Sequence, residues 1–213
     1  MTIKTAIAPD IIDNLSRCGW ANLKNPLYLR YHDEEWGVPC HDETRLFEML
    51  NLEGAQAGLS WETVLNKREN YRIAFDHWDA EKIARYDANK VAELMANAGI
   101  IRNRLKIAAT INNAQAYLRL RDELGGLDAF LWAYVDGKPV RGNWFSGNPS
   151  PAKTPLSDRI SKDMLKLGFK FIGSTIIYAY LQGVGLVDDH TGECFRHHDG
   201  KKSKKSSLKK EPS

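Results

Sequence analysis

Apolar residues recur at every third or fourth position along most of this chain, and strand-like alternation is nearly absent. That period predicts an all-α fold, with well-marked stops between helices. Asp42 can cap a helix carrying Leu46, Phe47 and Leu50 that ends near 54–58. Ser60 can cap the next, running through Val64, Leu65, Tyr71 and Phe75. Asp79 and Asp87 begin two shorter helices, the second with Val91, Leu94 and Met95 and a stop at Gly99. A longer helix, with Ile101, Leu105, Ala108, Ile111 and Leu118 on its apolar face, ends at Gly125-Gly126. Leu127 to Tyr134 form another. Segment 136–153, glycine-rich and with prolines at 139, 149 and 151, is a loop. Helix returns around Ser157 to Leu167 and from Ser174 to about Gln182.

At 213 residues the chain can bury a core without staples. Three cysteines point to a reducing compartment, where thiols pack or bind metal. No apolar run is long enough to span a bilayer, and the first residues lack a signal-peptide core. The expectation is a cytoplasmic, nucleoid-associated monomer, neither secreted nor membrane-bound. Its net charge of +3 is unevenly spread. The last 14 residues carry six lysines against one glutamate, so the other 199 sum to −2. That lysine-rich tail is too polar to order itself.

Four groups of residues could carry chemistry. Cys18 and His32 lie near one end of the chain and His190 and Cys194, spaced H-x3-C, near the other. Two thiolates and two imidazoles make a closed tetrahedral zinc site. From spacing alone, Cys40, His41, His197 and His198 are equally available, and ordinary packing is the simpler reading. Trp20, Tyr28, Tyr31 and Trp36 fall within 17 residues, with Trp61 following. Aromatics mixed with charge at non-helical spacing suit stacking on a base, and suit a small aromatic core equally. Glu53 lies three and seven residues after Leu50 and Leu46, on the apolar face of its helix, where a carboxylate must find donors or serve a function. In LGFKFIGST, Gly168 and Gly173 can take positive φ in a hairpin around Lys170, with backbone N–H groups turned outward toward a DNA phosphate. Arg102, Arg104 and Lys106 could add phosphate contacts, or form a solvated face.

RCGW, LYxRYHDEEWGVP, LExxQAGLSWxTVLxKRENYRxAF, AGIIRNRxKI and GFKFIGSTIIYAYLQGVGLVDDH, followed by H-x3-C, occur in that order from about Arg17 to about Cys194. Together they resemble the DNA-3-methyladenine glycosylase I family. Segment 136–153 matches poorly. The resemblance implies a helix-hairpin-helix glycosylase fold with a zinc-binding region built from both chain ends. On it, residues 1–16 are an N-terminal extension and 17–199 the glycosylase domain. The zinc region comes from about 17–40 and 186–199 around a helical core of about 41–185, and 200–213 form a disordered tail.

The resemblance also selects Cys18, His32, His190 and Cys194 as ligands of one structural zinc ion. It implies hydrolysis of the N-glycosidic bond of 3-methyladenine in alkylated double-stranded DNA, with the base flipped from the stack. Trp20, Tyr28, Trp36 and Trp61 would wall the pocket. Glu53 would accept from the exocyclic amine and Tyr31 would offer a hydroxyl. Gln56 and Leu59, in the QAGLS turn, would fill the gap left in the duplex. Ser174 stands where lyase-active relatives of the superfamily carry a lysine, so strand cleavage is not expected. Asp188 stands in the Val-Asp-Asp-His segment where family members commonly carry Asn. It would either stabilise the sugar cation or merely pack beside His190.

Overall fold

The computed structural model describes residues 15–145 and 147–198. Residues 1–14 of the expected extension and the whole lysine tail lie outside the described residues. Among the described residues ten α-helices follow in order: α1 (Pro26–Arg30), α2 (Glu43–Gln56), α3 (Trp61–Leu65), α4 (Arg68–Ala74), α5 (Ala80–Ile83), α6 (Ala88–Ala96), α7 (Arg104–Leu124), α8 (Leu127–Trp132), α9 (Pro155–Lys166) and α10 (Ser174–Gly183). A π-helical turn, Tyr31–Glu35, continues α1 without a break.

Side chains set most of the starts. Asp42, Ser60, Asp79 and Asp87 each accept a backbone N–H of the first turn that follows, at Arg45, Thr63, Lys82 and Lys90. Thr154 and Ser157 form a reciprocal capping box on α9. Gly125 ends α7 with φ of 84°.

The core centres on α2, which packs against α3, α7, α8 and α10. Its residues from Leu46 to Ala55 are buried without interruption, so it has no solvent face along that stretch. Three of those residues are ionisable or amide side chains, and two are fully occupied. Glu48 accepts from two of the three guanidinium nitrogens of Arg68, Nε at 2.8 Å and Nη2 at 2.7 Å. Asn51 donates to the Phe47 carbonyl and accepts from Asn113. Glu53, the third, accepts no hydrogen bond from any described residue.

Three expectations are corrected. The segment after Ser60 is two helices, because α3 stops at Asn66 and α4 restarts at Arg68. Loop 136–153 supplies a short strand, β1 (Val140–Arg141), paired in parallel with β2 (Val187–Asp188). On α7 the expected apolar face is only partly right: Ile101, just before the helix, and Ile111 and Leu118 pack against the core, but Leu105 is 70% exposed and Ala108 faces solvent, while Ile107, Thr110, Asn113, Ala114 and Tyr117 are buried. Polar Thr110 and Asn113 share the inner face because each has a fixed partner, which an apolar count overlooks.

Candidate active site

A cavity of about 220 Å³ opens beside α2, lined by Trp20, Tyr28, Tyr31, Trp36, Glu53, Gln56, Trp61, Ser150, Ala179 and Gln182. It is smaller than the roughly 300–1,000 Å³ of pockets for drug-sized ligands, and suits a single heterocycle. The aromatic residues arrive from three places: the segment before α1, the α1–π-turn unit and the start of α3. Asn25 caps α1 with its side chain, and the π-turn rotates Tyr31 inward to 3% exposure. Trp20 meets Trp36 at 4.8 Å and Tyr28 at 5.7 Å, while Tyr31 packs on Trp61 at 5.1 Å. All of the expected wall residues thus line one space.

Glu53 lies in this cavity at 4% exposure. Burial, uncompensated by any donor, pushes its carboxyl up to about 8. Tyr31 is driven well above the phenol range by burial and then by Glu53, so it keeps its proton and remains a donor. Tyr28 shifts the same way, again through burial first. Gly183 makes the floor possible: a Cβ there would stand 3.0 Å from the Tyr31 hydroxyl and 2.9 Å from Met49 Cε. The indole N–H of Trp61 is buried and has no acceptor among the described residues.

Gln56 lines the same cavity and a smaller groove that it shares with Ala57, Gly58, Leu59, Thr175, Ile176 and Ala179. Leu59 stands 42% exposed on the turn after α2. Lys106, expected on a phosphate-binding face with Arg102 and Arg104, is engaged elsewhere. Its ammonium donates to the carbonyls of Ala55 (2.8 Å) and Ala57 (2.7 Å), closing the C-terminus of α2. Burial lowers its pKa. Arg102 and Arg104 are exposed at the start of α7.

The turn between α9 and α10 also departs from expectation. Gly168 does take positive φ, at 92°, but Gly173 does not; Phe171 adopts φ of 54° in its place. The Lys170 N–H is not turned outward, because Asn113 Oδ1 accepts it at 2.7 Å while Asn113 Nδ2 donates to the Lys170 carbonyl. The first turn of α10 has no side-chain cap.

Cys18, His32, His190 and Cys194 converge, all four buried, with their ligating atoms within 4.8 Å of one another. Cys194 Sγ lies 3.4 Å from His32 Nε2 and 3.5 Å from His190 Nδ1, and Cys18 Sγ lies 3.5 Å from His190 Nδ1. Tetrahedral zinc with sulfur at about 2.3 Å and nitrogen at about 2.0 Å has sulfur–nitrogen edges of about 3.5 Å, so the donor set fits. The outer nitrogens are held as metal-binding imidazoles require: His32 Nδ1 against Asp33 at 2.7 Å, His190 Nε2 against the Trp36 carbonyl at 3.0 Å. Backbone N–H groups of Thr191 and Arg196 point at the two sulfurs. Cys194 is drawn toward thiolate, chiefly by a hydrogen bond from Cys18 and then by the two imidazoles; Cys18 keeps its proton in turn. Cys40 stands apart from this cluster. The cluster supports the cavity wall, since Trp20 packs on His32 and Trp36 on His190.

Three cavity residues escaped sequence reasoning: Ser150, Ala179 and Gln182. A signal existed for two of them. Thr175, Ala179 and Gln182 fall at i, i+4 and i+7 on α10, one face carrying a small residue and an amide in an otherwise apolar helix.

Residues 20–197 match the family model of methyladenine glycosylases. The chain is 47% identical over 180 residues to DNA-3-methyladenine glycosylase 1 of Escherichia coli strain K12, covering 84% of this chain and 96% of that protein. It is 45% identical over 179 residues to the DNA-3-methyladenine glycosylase of Haemophilus influenzae, again covering 84% and 96%. A crystal structure of 3-methyladenine DNA glycosylase I superposes with a TM-score of 0.82 at 49% identity, over 85% of this chain and 99% of the other. A tyrosine-to-phenylalanine variant of such an enzyme, in complex with 3-methyladenine, gives 0.78 at 38% identity, over 80% and 92%. Family model, sequence identity and fold agree, and the chain belongs to the methyladenine glycosylase family.

Proposed function

We propose that this protein excises 3-methyladenine from alkylated double-stranded DNA by hydrolysing its N-glycosidic bond, leaving an abasic site. The observation that carries this is Glu53. Every other polar side chain on the inner stretch of α2 is satisfied, while this carboxyl stands unpaired in a cavity walled by aromatic rings. A buried carboxyl without donors is costly, and a base bearing an amine and a positive charge supplies what it lacks.

Methylation at N3 makes adenine cationic, so the base leaves with little acid catalysis, and the protein's tasks are selection and electrostatics. A base turned out of the duplex enters the cavity between Trp61, Tyr31, Trp20, Tyr28 and Trp36, where rings stack on it and favour its charge. In its ionised form, which a cationic base favours, Glu53 accepts from the exocyclic amine; guanine offers an oxygen there, and two acceptors repel. The protonated Tyr31 hydroxyl donates from the floor. Gln56 and Leu59, at the end of α2, enter the space the base vacates. We read α9, the turn 167–173 and α10 as the helix-hairpin-helix element. The uncapped N–H groups opening α10 receive a phosphate, with Gly168 and Gly173 shaping the turn and Lys170, Arg102 and Arg104 adding charge.

Cys18, His32, His190 and Cys194 would hold one zinc ion whose only contribution is structural, because four protein ligands leave it no open position. Ser174 bears no amine to form a Schiff base, and its hydroxyl engages Ser157, so the enzyme is monofunctional. Asp188 accepts the His190 N–H at 3.3 Å and lies against Gly37, which supports a packing role. Incubating the protein with methylated duplex DNA and identifying the released base by chromatography is the direct test; no released 3-methyladenine refutes the proposal.

A further inference from the structure

We propose that Gln182 is a second base-reading residue, and that Asp189 fixes which end of its amide the base meets. This rests on the reading of the aromatic cavity as the base pocket. Gln182 lines that cavity. Its Nε2 donates to Asp189 Oδ2 at 2.6 Å, and its Oε1 accepts no hydrogen bond from any described residue. Asp189 is 3% exposed and anchored on both oxygens: Trp144 Nε1 donates to Oδ1 at 2.6 Å, and the Tyr178 hydroxyl donates to Oδ2 at 2.5 Å.

The chemistry leaves one orientation. An ionised carboxylate only accepts hydrogen bonds, so it must face the amide nitrogen of Gln182 and not the amide oxygen. The oxygen is therefore the polar atom left over for the cavity. The backbone of residue 182 is also held, its carbonyl accepting the N–H of Gly37 at 2.8 Å. Gly142 is part of the arrangement, since a Cβ there would lie 2.1 Å from Trp144 Nε1 and 2.2 Å from Asp189 Oδ1, splitting the hydrogen bond between them. The cavity thus presents two acceptors, Glu53 and the Gln182 amide oxygen. An adenine amine has two hydrogens to give, whereas guanine places an oxygen at that edge. Gln182 adds to discrimination by repelling that oxygen, as an amide free to turn would not.

Two variants test this through binding of free 3-methyladenine and free 7-methylguanine, read by tryptophan fluorescence, with base release measured in parallel. Gln182→Met keeps the shape and removes the acceptor. It is expected to weaken 3-methyladenine about tenfold, the worth of one hydrogen bond, and to leave 7-methylguanine no weaker. In Asp189→Asn the Tyr178 hydroxyl can turn to accept. The new amide nitrogen then faces Gln182, which flips and offers its own nitrogen to the cavity. 3-methyladenine should weaken and 7-methylguanine strengthen, at unchanged metal content. Equal losses for both bases in Gln182→Met, or unchanged affinity for 3-methyladenine, would overturn the assignment. If Asp189→Asn does not fold or loses metal, Gln182→Met decides alone. Failure of the wild-type protein to bind or release 3-methyladenine is a separate result that overturns the function itself.

Discussion

Glu53 sets stability and selection against each other, and the conflict has a sign that can be measured. Burial raises its pKa from 4.5 to about 8, so between those values the folded chain holds a proton that the unfolded chain has released. The stability it contributes is complete below about pH 4.5 and is lost as pH climbs toward 8. Glu53→Gln should abolish that slope and stabilise the ligand-free protein near pH 8, by about 4 kcal/mol. Urea unfolding of both proteins across pH 5–8 reads this directly. Activity should move the other way, with excision of 3-methyladenine losing about 2–3 kcal/mol of transition-state binding through the charge-assisted contact. The amide can also donate to a guanine oxygen, so preference against 7-methylguanine should narrow. Ionised Glu53 is the form that favours a cationic base, so wild-type kcat/KM should rise with pH up to about 8, and that rise should vanish in the variant. A purely structural carboxylate would give a less stable variant with unchanged activity per folded molecule.

At the level of elements, α7 acts as a strut. Its first turn places Lys106 on the C-terminal carbonyls of α2, and its middle places Asn113 on Lys170 in the turn before α10. A cation at a helix C-terminus opposes the helix dipole as well as satisfying carbonyls. Lys106→Met should cost about 1–2 kcal/mol of stability and raise KM for duplex DNA by loosening the turn that carries Leu59. Binding of free 3-methyladenine should survive, and Lys106→Arg should restore part of the loss. The salt dependence of DNA binding separates this from a phosphate contact, whose removal would lower the slope by about one. The same helix shows what was legible in the sequence. The end of α7 follows from Gly125-Gly126, but its start at Arg104, capped by Asn103, and its inner face do not. Exposed Leu105 and buried Asn113 are decided by neighbours far along the chain, which no local pattern reports. The helical period puts Glu53 inward, but the cause is different: it is buried because α2 is enclosed on every side from Leu46 to Ala55, not because one stripe is apolar.

On the scale of the whole molecule, the Cys/His cluster joins residues 172 positions apart and braces the aromatic wall. Metal analysis should return about one zinc per chain. Cys194→Ser should lower zinc content and melting temperature together, because binding energy in such a site is folding energy. Cys40→Ser should change neither. Chelation should also weaken free-base binding, since His32 and His190 back Trp20 and Trp36. Spacing along the chain does not select these four ligands over Cys40, His41, His197 and His198; only convergence in space and the family resemblance do so. Deleting residues 200–213 should flatten the salt dependence of DNA binding, because six lysines are removed, while excision at saturating DNA persists. An inactive but folded truncation would contradict that expectation.

The clasp between the two ends also orders events in time. Trp20, Tyr28, Tyr31 and Trp36 leave the ribosome more than 150 residues before His190 and Cys194, which would fasten their segment. A nascent chain therefore carries these wall residues unfastened until His190 and Cys194 emerge. Stalled chains ending before residue 190 should show no capacity for the free base, and the capacity should appear abruptly once Cys194 clears the exit tunnel.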